Sequence, residues 1–274
     1  MTYYQEQRRG NNGMRFGGLI IGLIMAAFAF IQYNSNTQIN EFTGEKQRVS
    51  LSPDQEIQLG LQSAPSMAQQ HGGLHPDESA RAYVKQVGRK LVQTSVARQS
   101  PYQYDFHLLA DSRTVNAFAL PGGQVFITAA LYSRLESEDQ LAGILGHEIG
   151  HVIERHAAER IAKQELSKGI TGAVVAATQN YQSAEYAQMI SNTINMKYGR
   201  DQELECDQWG VKLMLGAGYD PQALKEVMRI LEAASGGSQQ PEFMSSHPSP
   251  ENRIGKIQDA IDMVNQGIDP TKRH

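Results

Sequence analysis

Along this chain, one continuous apolar run near the N-terminus is followed by segments in which apolar and polar positions recur periodically. The run covers residues 16–31, and three arginines lie within the eight residues before it. An apolar run behind basic residues predicts export, with the N-terminus in the cytoplasm and the remainder across the membrane. We interpret residues 1–33 as a signal anchor or a signal peptide. The small residues of Ala27-Phe28-Ala29 would suit cleavage, whereas the apolar residues that continue past them favour an uncleaved anchor.

A polar stretch separates this run from the periodic part of the chain. Residues 34–51 show little periodicity and predict a polar tether between the membrane and the domain. Residues 52–274 are then expected to form one domain, which opens with two helices. Ser52 is placed to cap the first helix, and the second begins near Asp77.

The period of the apolar positions changes to two after Tyr102, which predicts strands over Tyr104–Leu109, Val115–Leu120 and Gln124–Thr128. Helical spacing returns afterwards and predicts helices over residues 129–135, 138–165, 201–215, 221–234 and 250–266. The expected fold class is α+β and mainly helical. A small antiparallel sheet should pack against the helix 138–165, and an N-terminal membrane helix should precede the domain.

Two segments after that helix give weaker signals. Ile170–Thr178 is apolar but only nine residues long, far too short to cross a membrane, so we interpret it as core or as a flap. Residues 179–199 have a mixed pattern, and we predict a helix there.

Composition excludes some classes of protein. The formal net charge is −4 and the basic residues are scattered, so a nucleic acid is not an expected partner. Cys206 is the only cysteine, and no intramolecular disulfide can form.

Candidate chemistry is concentrated in an H-E-x-x-H sequence, His147-Glu148-Ile149-Gly150-His151, inside the predicted helix 138–165. At helical pitch, two histidines four residues apart lie on one face, where both imidazoles can reach one metal ion. Glu148 lies about 100° around the helix from His147, which suits a general base acting on a water beside the metal. The alternative is a surface helix that carries these residues by chance. A capping box at Ser137 and apolar residues at helical spacing disfavour that alternative.

Two histidines leave a catalytic zinc site one protein ligand short. One known spacing places a third histidine ten residues after the first, but Ala157 stands there. His156 is one residue too early for that spacing, and we expect it to lie outside the ligand set.

A carboxylate from another helix can complete such a site, and the predicted helix 201–215 supplies candidates. Glu203 is the expected third ligand. Asp207, four residues later on the same face, is expected to accept a hydrogen bond from a ligand histidine. We expect the side chain of Glu205 to point away from the metal. Cys206 is a soft ligand by type but is better explained as a small buried residue.

Three motifs together resemble a known family: Asn116-Ala117-Phe118-Ala119-Leu120-Pro121-Gly122-Gly123, His147-Glu148-Ile149-Gly150-His151-Val152 and Glu203-x-Glu205-x-Asp207. The combination is similar to the gluzincin metallopeptidases of the HtpX and CAAX prenyl protease type, from about residue 52 to the end. Cys206 replaces the alanine usual in the last motif, a conservative change in size. The resemblance implies a zincin-like catalytic domain with one Zn²⁺ per chain. Single-anchor or periplasmic bacterial envelope members are the most similar in architecture, because the multi-span core of the prenyl proteases is missing.

The resemblance also implies roles for residues that spacing alone does not single out. The motif His247-Pro248-x-Pro250-x-x-Arg253 is similar to an element whose histidine and arginine face the active site. Arg253 would then stabilise an oxyanion or orient the site. His247 could swing towards the zinc as a fourth ligand and close the resting enzyme. Asn116, Ala117 and Phe118 would hold an extended substrate by strand addition.

These inferences predict a zinc metalloendopeptidase that hydrolyses misfolded or unassembled cell-envelope proteins in extended form. We expect it in the bacterial inner membrane as a single-pass protein with a periplasmic catalytic domain, or soluble in the periplasm after signal cleavage. A zinc-bound chaperone without cleavage is an alternative that the presence of Glu148 disfavours. An aminopeptidase is another, but no acidic anchor for a free amine is evident.

Overall fold

The protein is described by a computed structural model that covers residues 12–178, 198–234, 242–247 and 252–272. Helices make up most of these residues. They are α1 (Asn12–Ser35), α2 (Pro53–Gln70), α3 (Glu78–Gln93), α4 (Ala129–Tyr132), α5 (Glu138–Ile153), α6 (His156–Thr178), α7 (Arg200–Gly216), α8 (Gln222–Ala234), α9 (Glu242–Ser246) and α10 (Arg253–Asn265). The mainly helical α+β class is confirmed.

The helix starts are set by the predicted caps. The hydroxyl of Ser52 accepts a hydrogen bond from the Gln55 backbone N–H, and the Gln55 side chain accepts one from the Ser52 N–H, which together form a capping box. Asp77 caps α3 through the N–H groups of residues 79 and 80. Ser137 likewise accepts a hydrogen bond from Gln140 at the start of α5.

Three strands form the sheet beside α5: β3 (Asp105–Leu109), β4 (Ala117–Ala119) and β5 (Gln124–Thr128), in the order β3-β5-β4. β4 and β5 are antiparallel across the turn at residues 121–123, but β3 and β5 are parallel. The prediction of an antiparallel sheet is therefore wrong for one of the two pairings. The chain after β3 crosses over to the far side of β5 before it returns, and this makes β3 and β5 parallel. A period of two in the apolar positions does not encode strand direction, so the sequence pattern could not show this.

The interior of the domain lies between this sheet and the helices. All five residues of β5 are buried, and α3 packs behind β3. The middle and C-terminal turns of α5 are buried on every side, from Gln140 to Ile153. A helix enclosed in this way can hold polar side chains out of water, which is the condition for a dry metal site.

The polar segment 34–51 is folded against the domain. Thr37–Ile39 (β1) and Lys46–Arg48 (β2) pair as an antiparallel hairpin. The side chain of Asn40 donates to the carbonyl of Ile153 at 2.8 Å, and that of Gln47 donates to the carbonyl of Glu154 at 2.5 Å. The segment predicted as a polar tether is therefore packed against the domain, because its polar side chains satisfy carbonyl groups at the end of α5.

The predicted helix 138–165 is broken into α5 and α6. Arg155 between them has φ 54°, the left-handed region, which ends α5 and turns the chain. Its Nε donates to Glu56 at 2.8 Å and one terminal nitrogen donates to the carbonyl of Leu51 at 2.7 Å. The partners Glu56 and Leu51 come from a distant part of the sequence, and no local glycine or proline marks the break.

The N-terminal helix α1 contains the one segment in the described ranges, Gly17–Ser35, that is long and apolar enough to cross a membrane. It packs antiparallel to α6. The apolar segment Ile170–Thr178, predicted as core or a flap, is the C-terminal part of α6. Residues 179–197 of the predicted helix 179–199, and the start of the predicted helix 250–266, lie outside the described residues.

Candidate metal centre

Small residues bring the H-E-x-x-H helix close to α7. A Cβ on Gly146 would lie 3.3 Å from the Cα of Gly210, and a Cβ on Gly150 would lie 3.0 Å from the Cα of Cys206. This close approach of the two helices allows short acidic side chains of α7 to reach the histidines of α5. The glycine within H-E-x-x-H is thus part of the architecture of the site.

The first histidine is oriented by a carboxylate of α7. His147 Nδ1 lies 2.9 Å from Asp207 Oδ1, so Nδ1–H donates and Nε2 remains available to a metal. Burial alone would lower the pKa of His147, but Asp207 and Glu203 overcome this and raise it to about 9. The predicted role of Asp207 agrees with this geometry.

Glu203 and His247 reach the same point from two other elements. Glu203 lies on α7 and is fully buried, and His247 directly follows α9 and is also fully buried. Nδ1 of His247 is 3.1 Å from Oε1 of Glu203, 3.4 Å from Nε2 of His147 and 3.2 Å from Nε2 of His151. His247 is therefore part of the cluster.

The four candidate ligand residues surround one point in a compact tetrahedral arrangement. Nε2 of His147, Nε2 of His151 and Nδ1 of His247 lie 3.2 to 3.4 Å from one another. Of the Glu203 carboxylate, Oε1 lies 3.1 Å from the His247 nitrogen and 3.6 Å from the His151 nitrogen, and Oε2 lies 3.4 Å from the His147 nitrogen. Zinc bonds of about 2.0–2.1 Å in tetrahedral geometry give edges of about 3.3–3.4 Å. The residues present fit zinc in donor type, number and spacing.

Glu148 stands beside this cluster with an unsatisfied carboxylate. Both of its oxygens are buried, and no hydrogen bond from the described residues reaches either of them. The nearest ring nitrogen is Nε2 of His247, 3.7 Å from Oε1. Burial raises the pKa of Glu148, although the neighbouring histidines oppose that shift. A buried carboxylate without a partner is unfavourable, which is typical of a group that acts on a bound molecule.

The second histidine is oriented by residues whose role was not foreseen. His151 Nδ1 lies 3.0 Å from His156 Nδ1, and His156 Nε2 lies 3.2 Å from Glu205 Oε2. Burial lowers the pKa of His156 to about 4, so its ring is neutral, and a proton on Nε2 leaves Nδ1 as an acceptor. His156 is not one of the four candidate ligands, and Glu205 contacts His156 rather than any of those four residues. The turn at Arg155 places His156 beside His151, and a continuous helix would not.

Cys206 lies in the same region without reaching the tetrahedron. Its sulfur is 3.5 Å from His156 Nδ1, and burial raises the pKa of its thiol well above the usual value. Its contact with His156 and its full burial fit the interpretation of Cys206 as a small buried residue.

Arg253 contacts the carboxylates of Asp207 and Glu203 rather than the space between the four candidate ligands. Its Nε is 2.7 Å from Asp207 Oδ2, one terminal nitrogen is 2.9 Å from Asp207 Oδ1, and the same nitrogen is 3.2 Å from Glu203 Oε2. This bidentate pairing holds both carboxylates in place. Of the two roles considered for Arg253, the contacts favour orientation of the site over oxyanion stabilisation.

The predicted substrate strand lies at one edge of the sheet. Hydrogen bonds link Asn116 with Thr128 and Leu120 with Gln124, so the backbone of Phe118 also faces β5. Alternation along an antiparallel strand then directs the backbone groups of Ala117 and Ala119 away from β5. Within the described part of the chain, no hydrogen bond reaches these outward groups. Of the three residues predicted to hold substrate, Asn116 and Phe118 have backbone groups that already pair with β5.

A cleft continues from this edge towards the metal ligands. It has a volume of about 510 Å³ and is bounded by Ala119, Leu120 and Pro121 on one side and by Arg160, Ile161 and Tyr198 on the other. The ring of Tyr198 lies 4.0 Å from that of His151, measured between centroids. Tyr198 was not singled out from the sequence, since no motif contains it.

Comparison with known proteins bears on the same residues. The sequence profile of Peptidase family M48 matches residues 78–261, which is more than half of the chain and includes the four candidate ligands. The chain belongs to peptidase family M48. The resemblance to gluzincin metallopeptidases of HtpX type is confirmed, and M48 metallopeptidases use zinc, in agreement with the His-His-Glu-His cluster.

Relatives in this family come from bacteria and mitochondria. The beta-barrel assembly-enhancing protease of Escherichia coli (strain K12) is 30% identical over 232 residues, which are 79% of this chain and 45% of that protein. The mitochondrial metalloendopeptidase OMA1 of Schizosaccharomyces pombe (strain 972 / ATCC 24843) is 29% identical over 252 residues, 89% of this chain and 70% of that protein. Metalloendopeptidase OMA1 of Bos taurus is 28% identical over 267 residues, 91% and 50% respectively. The chain thus spans about half the length of several M48 relatives.

Proposed function

We propose that this M48 chain is a zinc metalloendopeptidase. The observation that carries the proposal is the unpartnered carboxylate of Glu148 beside a tetrahedral cluster of four ligand side chains. A structural zinc site needs four ligands but has no use for a buried free carboxylate next to them. A binding module without cleavage would have no use for it either.

In the proposed reaction, different residues of the chain carry out different steps of peptide hydrolysis. Zinc held by His147, His151 and Glu203 would supply Lewis acidity at the scissile carbonyl. Glu148 accepts the proton of the attacking water and returns it to the leaving amine. A pKa raised by burial suits a carboxylate that must gain and lose a proton in each cycle. Asp207, itself held by Arg253, keeps the tautomer of His147 fixed throughout.

The edge of β4 is the proposed substrate-binding strand. A peptide in extended conformation could pair with the outward backbone groups of Ala117 and Ala119, as in other cases of strand addition. The cleft beyond Ala119 would take side chains on one side of the scissile bond. Backbone pairing is independent of side chains, so the proposed substrates are unfolded or unassembled segments of many sequences.

His247 is the proposed control point of the site. Catalytic zinc normally keeps one position for water and substrate, but the nitrogen of His247 occupies the fourth corner of the tetrahedron. We infer that His247 holds the resting site closed and must leave before a substrate is cleaved. It directly follows the short helix α9, so a shift of α9 would withdraw the His247 side chain from the site.

One experiment tests the catalytic assignment. Glu148→Gln should abolish casein cleavage while retaining one zinc per chain, because the amide cannot accept the proton and all four ligands remain. The substitution is best made in parallel in the wild-type chain and in a His247→Ala chain, so that a closed resting site does not hide the result. Substantial residual turnover in a fully zinc-loaded Glu148→Gln/His247→Ala chain would refute the role of Glu148.

The role of His247 is tested by the single variant His247→Ala. Three ligands remain, so zinc should stay bound, and removal of a closing ligand should raise cleavage of casein several-fold. A fall in cleavage with zinc retained would instead assign His247 to substrate or transition-state contact. Unchanged kinetics on folded and unfolded substrates would remove it from both roles.

The location and the substrate class are proposed together. α1 supports a single membrane anchor, with the domain on the periplasmic side of a bacterial inner membrane and with cell-envelope proteins as substrates. The name of the Escherichia coli relative, a beta-barrel assembly-enhancing protease, supports a role in the envelope. Protease protection of the domain in intact spheroplasts would contradict this topology.

A further inference from the structure

The helix that follows the metal motif runs along the proposed membrane anchor. A Cβ built on Gly169 of α6 would lie 2.6 Å from Cβ of Ala29, and one built on Gly172 would lie 3.4 Å from Met25. These two contacts show that the helices are antiparallel and in direct contact. Glycine at residue 169 is needed for this close approach.

The contacts fix the depth of α6 relative to α1. Ala29 and Met25 both lie inside the apolar run 16–31, two and six residues from its end. At a rise of 1.5 Å per residue, these positions are about 3 and 9 Å inside that end. A bilayer that surrounds α1 at the level of Met25 must therefore also meet α6 at the level of Gly172.

The side chains of α6 change character at the same level. Lys163, Gln164, Glu165 and Lys168 are exposed and polar, whereas residues 169–178 contain no charged residue. Ile170 is 44% exposed, which is unfavourable in water for a side chain of this size. Nothing in the described ranges covers it fully.

A groove between the two helices has the same apolar character. It measures about 390 Å³ and is lined mainly by Ile24, Met25, Phe28, Ala29, Leu166 and Gly169. On α1, Ile24 and Phe28 are 63% and 66% exposed, so the lipid-facing side of α1 continues onto the groove. Hydrocarbon chains are the partner that suits both surfaces at once.

We propose that α6 enters the membrane beside α1 at residues 169–173, in the leaflet on the side of the catalytic domain. This inference rests on the proposed membrane anchor. Because His156 begins α6, the residue that orients His151 would lie only about 20 Å along the helix from the lipid, at 1.5 Å per residue. The metal centre would then be held near the membrane surface, within reach of substrate segments that emerge from the bilayer.

Nitroxide spin labels can measure this depth in the full chain reconstituted in phosphatidylcholine–phosphatidylglycerol vesicles. The substitutions Ile170→Cys, Gln164→Cys and Phe28→Cys are made one at a time in a Cys206→Ala background, and collision rates of the label with oxygen and with a water-soluble nickel chelate are compared. Gln164 is exposed on the same helix six residues earlier and provides the aqueous control. Phe28, next to the contact with Gly169, provides the lipid control. One zinc per labelled chain verifies that each variant is folded.

The expected result is a several-fold higher oxygen-to-nickel ratio at residue 170 than at residue 164, close to the ratio at residue 28. An aqueous ratio at 170 with a lipid ratio at 28 would overturn the inference while the anchor stands. Low collision rates with both reagents at 170 would mean that protein covers the site, which also overturns it. An aqueous ratio at residue 28 would refute the anchor itself.

Discussion

Substitution of His156 tests whether the second zinc histidine is held by a neighbour that never touches the metal. His156 is 1% exposed, and its Nδ1 is the acceptor 3.0 Å from Nδ1 of His151. His156→Ala would leave the buried N–H of His151 without that acceptor. An unsatisfied buried donor costs about 1–3 kcal/mol. Because about 1.4 kcal/mol corresponds to a factor of ten, zinc affinity should fall about 10- to 100-fold.

The assay is competition for zinc with a chelator of known affinity, at pH 7 and on purified chains. His156→Asn provides the matched variant, because its carboxamide oxygen can stand where Nδ1 stands and accept the same hydrogen bond. We expect His156→Asn to recover most of the lost affinity. His75→Ala changes a half-buried histidine before α3, away from the metal ligands, and should have no effect.

The result that would refute this reasoning is equal zinc affinity in His156→Ala and the wild type. Equal weakening in the Ala and Asn variants would also count against it, since it would show that volume and not the hydrogen bond is responsible. Far-ultraviolet circular dichroism of both variants separates either result from a loss of fold.

Two further predictions concern the ligand set and the turn after α5. Glu203→Gln should lower zinc content and casein cleavage together, whereas Cys206→Ala should change neither; loss of zinc from the cysteine variant alone would make the sulfur the ligand. Arg155→Met should lower the free energy of unfolding by about 3–5 kcal/mol at pH 7, because Glu56 is then buried without its cation. Urea titrations at lower pH should show a smaller loss of unfolding free energy. Burial raises the pKa of Glu56, and a protonated carboxyl is less costly to bury than a charged one. A loss that does not depend on pH would contradict this.

The metal centre was largely predictable because its ligands follow local rules. His147 and His151 share a helical face, and Glu203 and Asp207 share another, so two four-residue spacings define most of the site. Caps at Ser52 and Asp77 set helix starts within one or two residues for the same reason. His247 was accessible only through the resemblance to a family, since no spacing connects it to the other ligands.

Features that depend on distant contacts were not predictable. The left-handed turn at Arg155 is held by Glu56 and Leu51, about a hundred residues earlier, and nothing within the local sequence indicates it. The contact of Glu205 with His156 depends on that turn. The parallel pairing of β3 with β5 depends on the path of the chain between strands, which periodicity does not record.

X-ray absorption at the zinc edge tests the central claim most directly, because it counts the atoms that surround the metal. The account predicts one zinc in the resting chain with three imidazole nitrogens and one carboxylate oxygen, all at about 2.0–2.2 Å. In His247→Ala, the imidazole scattering should fall to that of two histidines while zinc remains bound. Sulfur scattering at about 2.3 Å, or the same number of imidazoles in the wild type and in His247→Ala, would contradict the account.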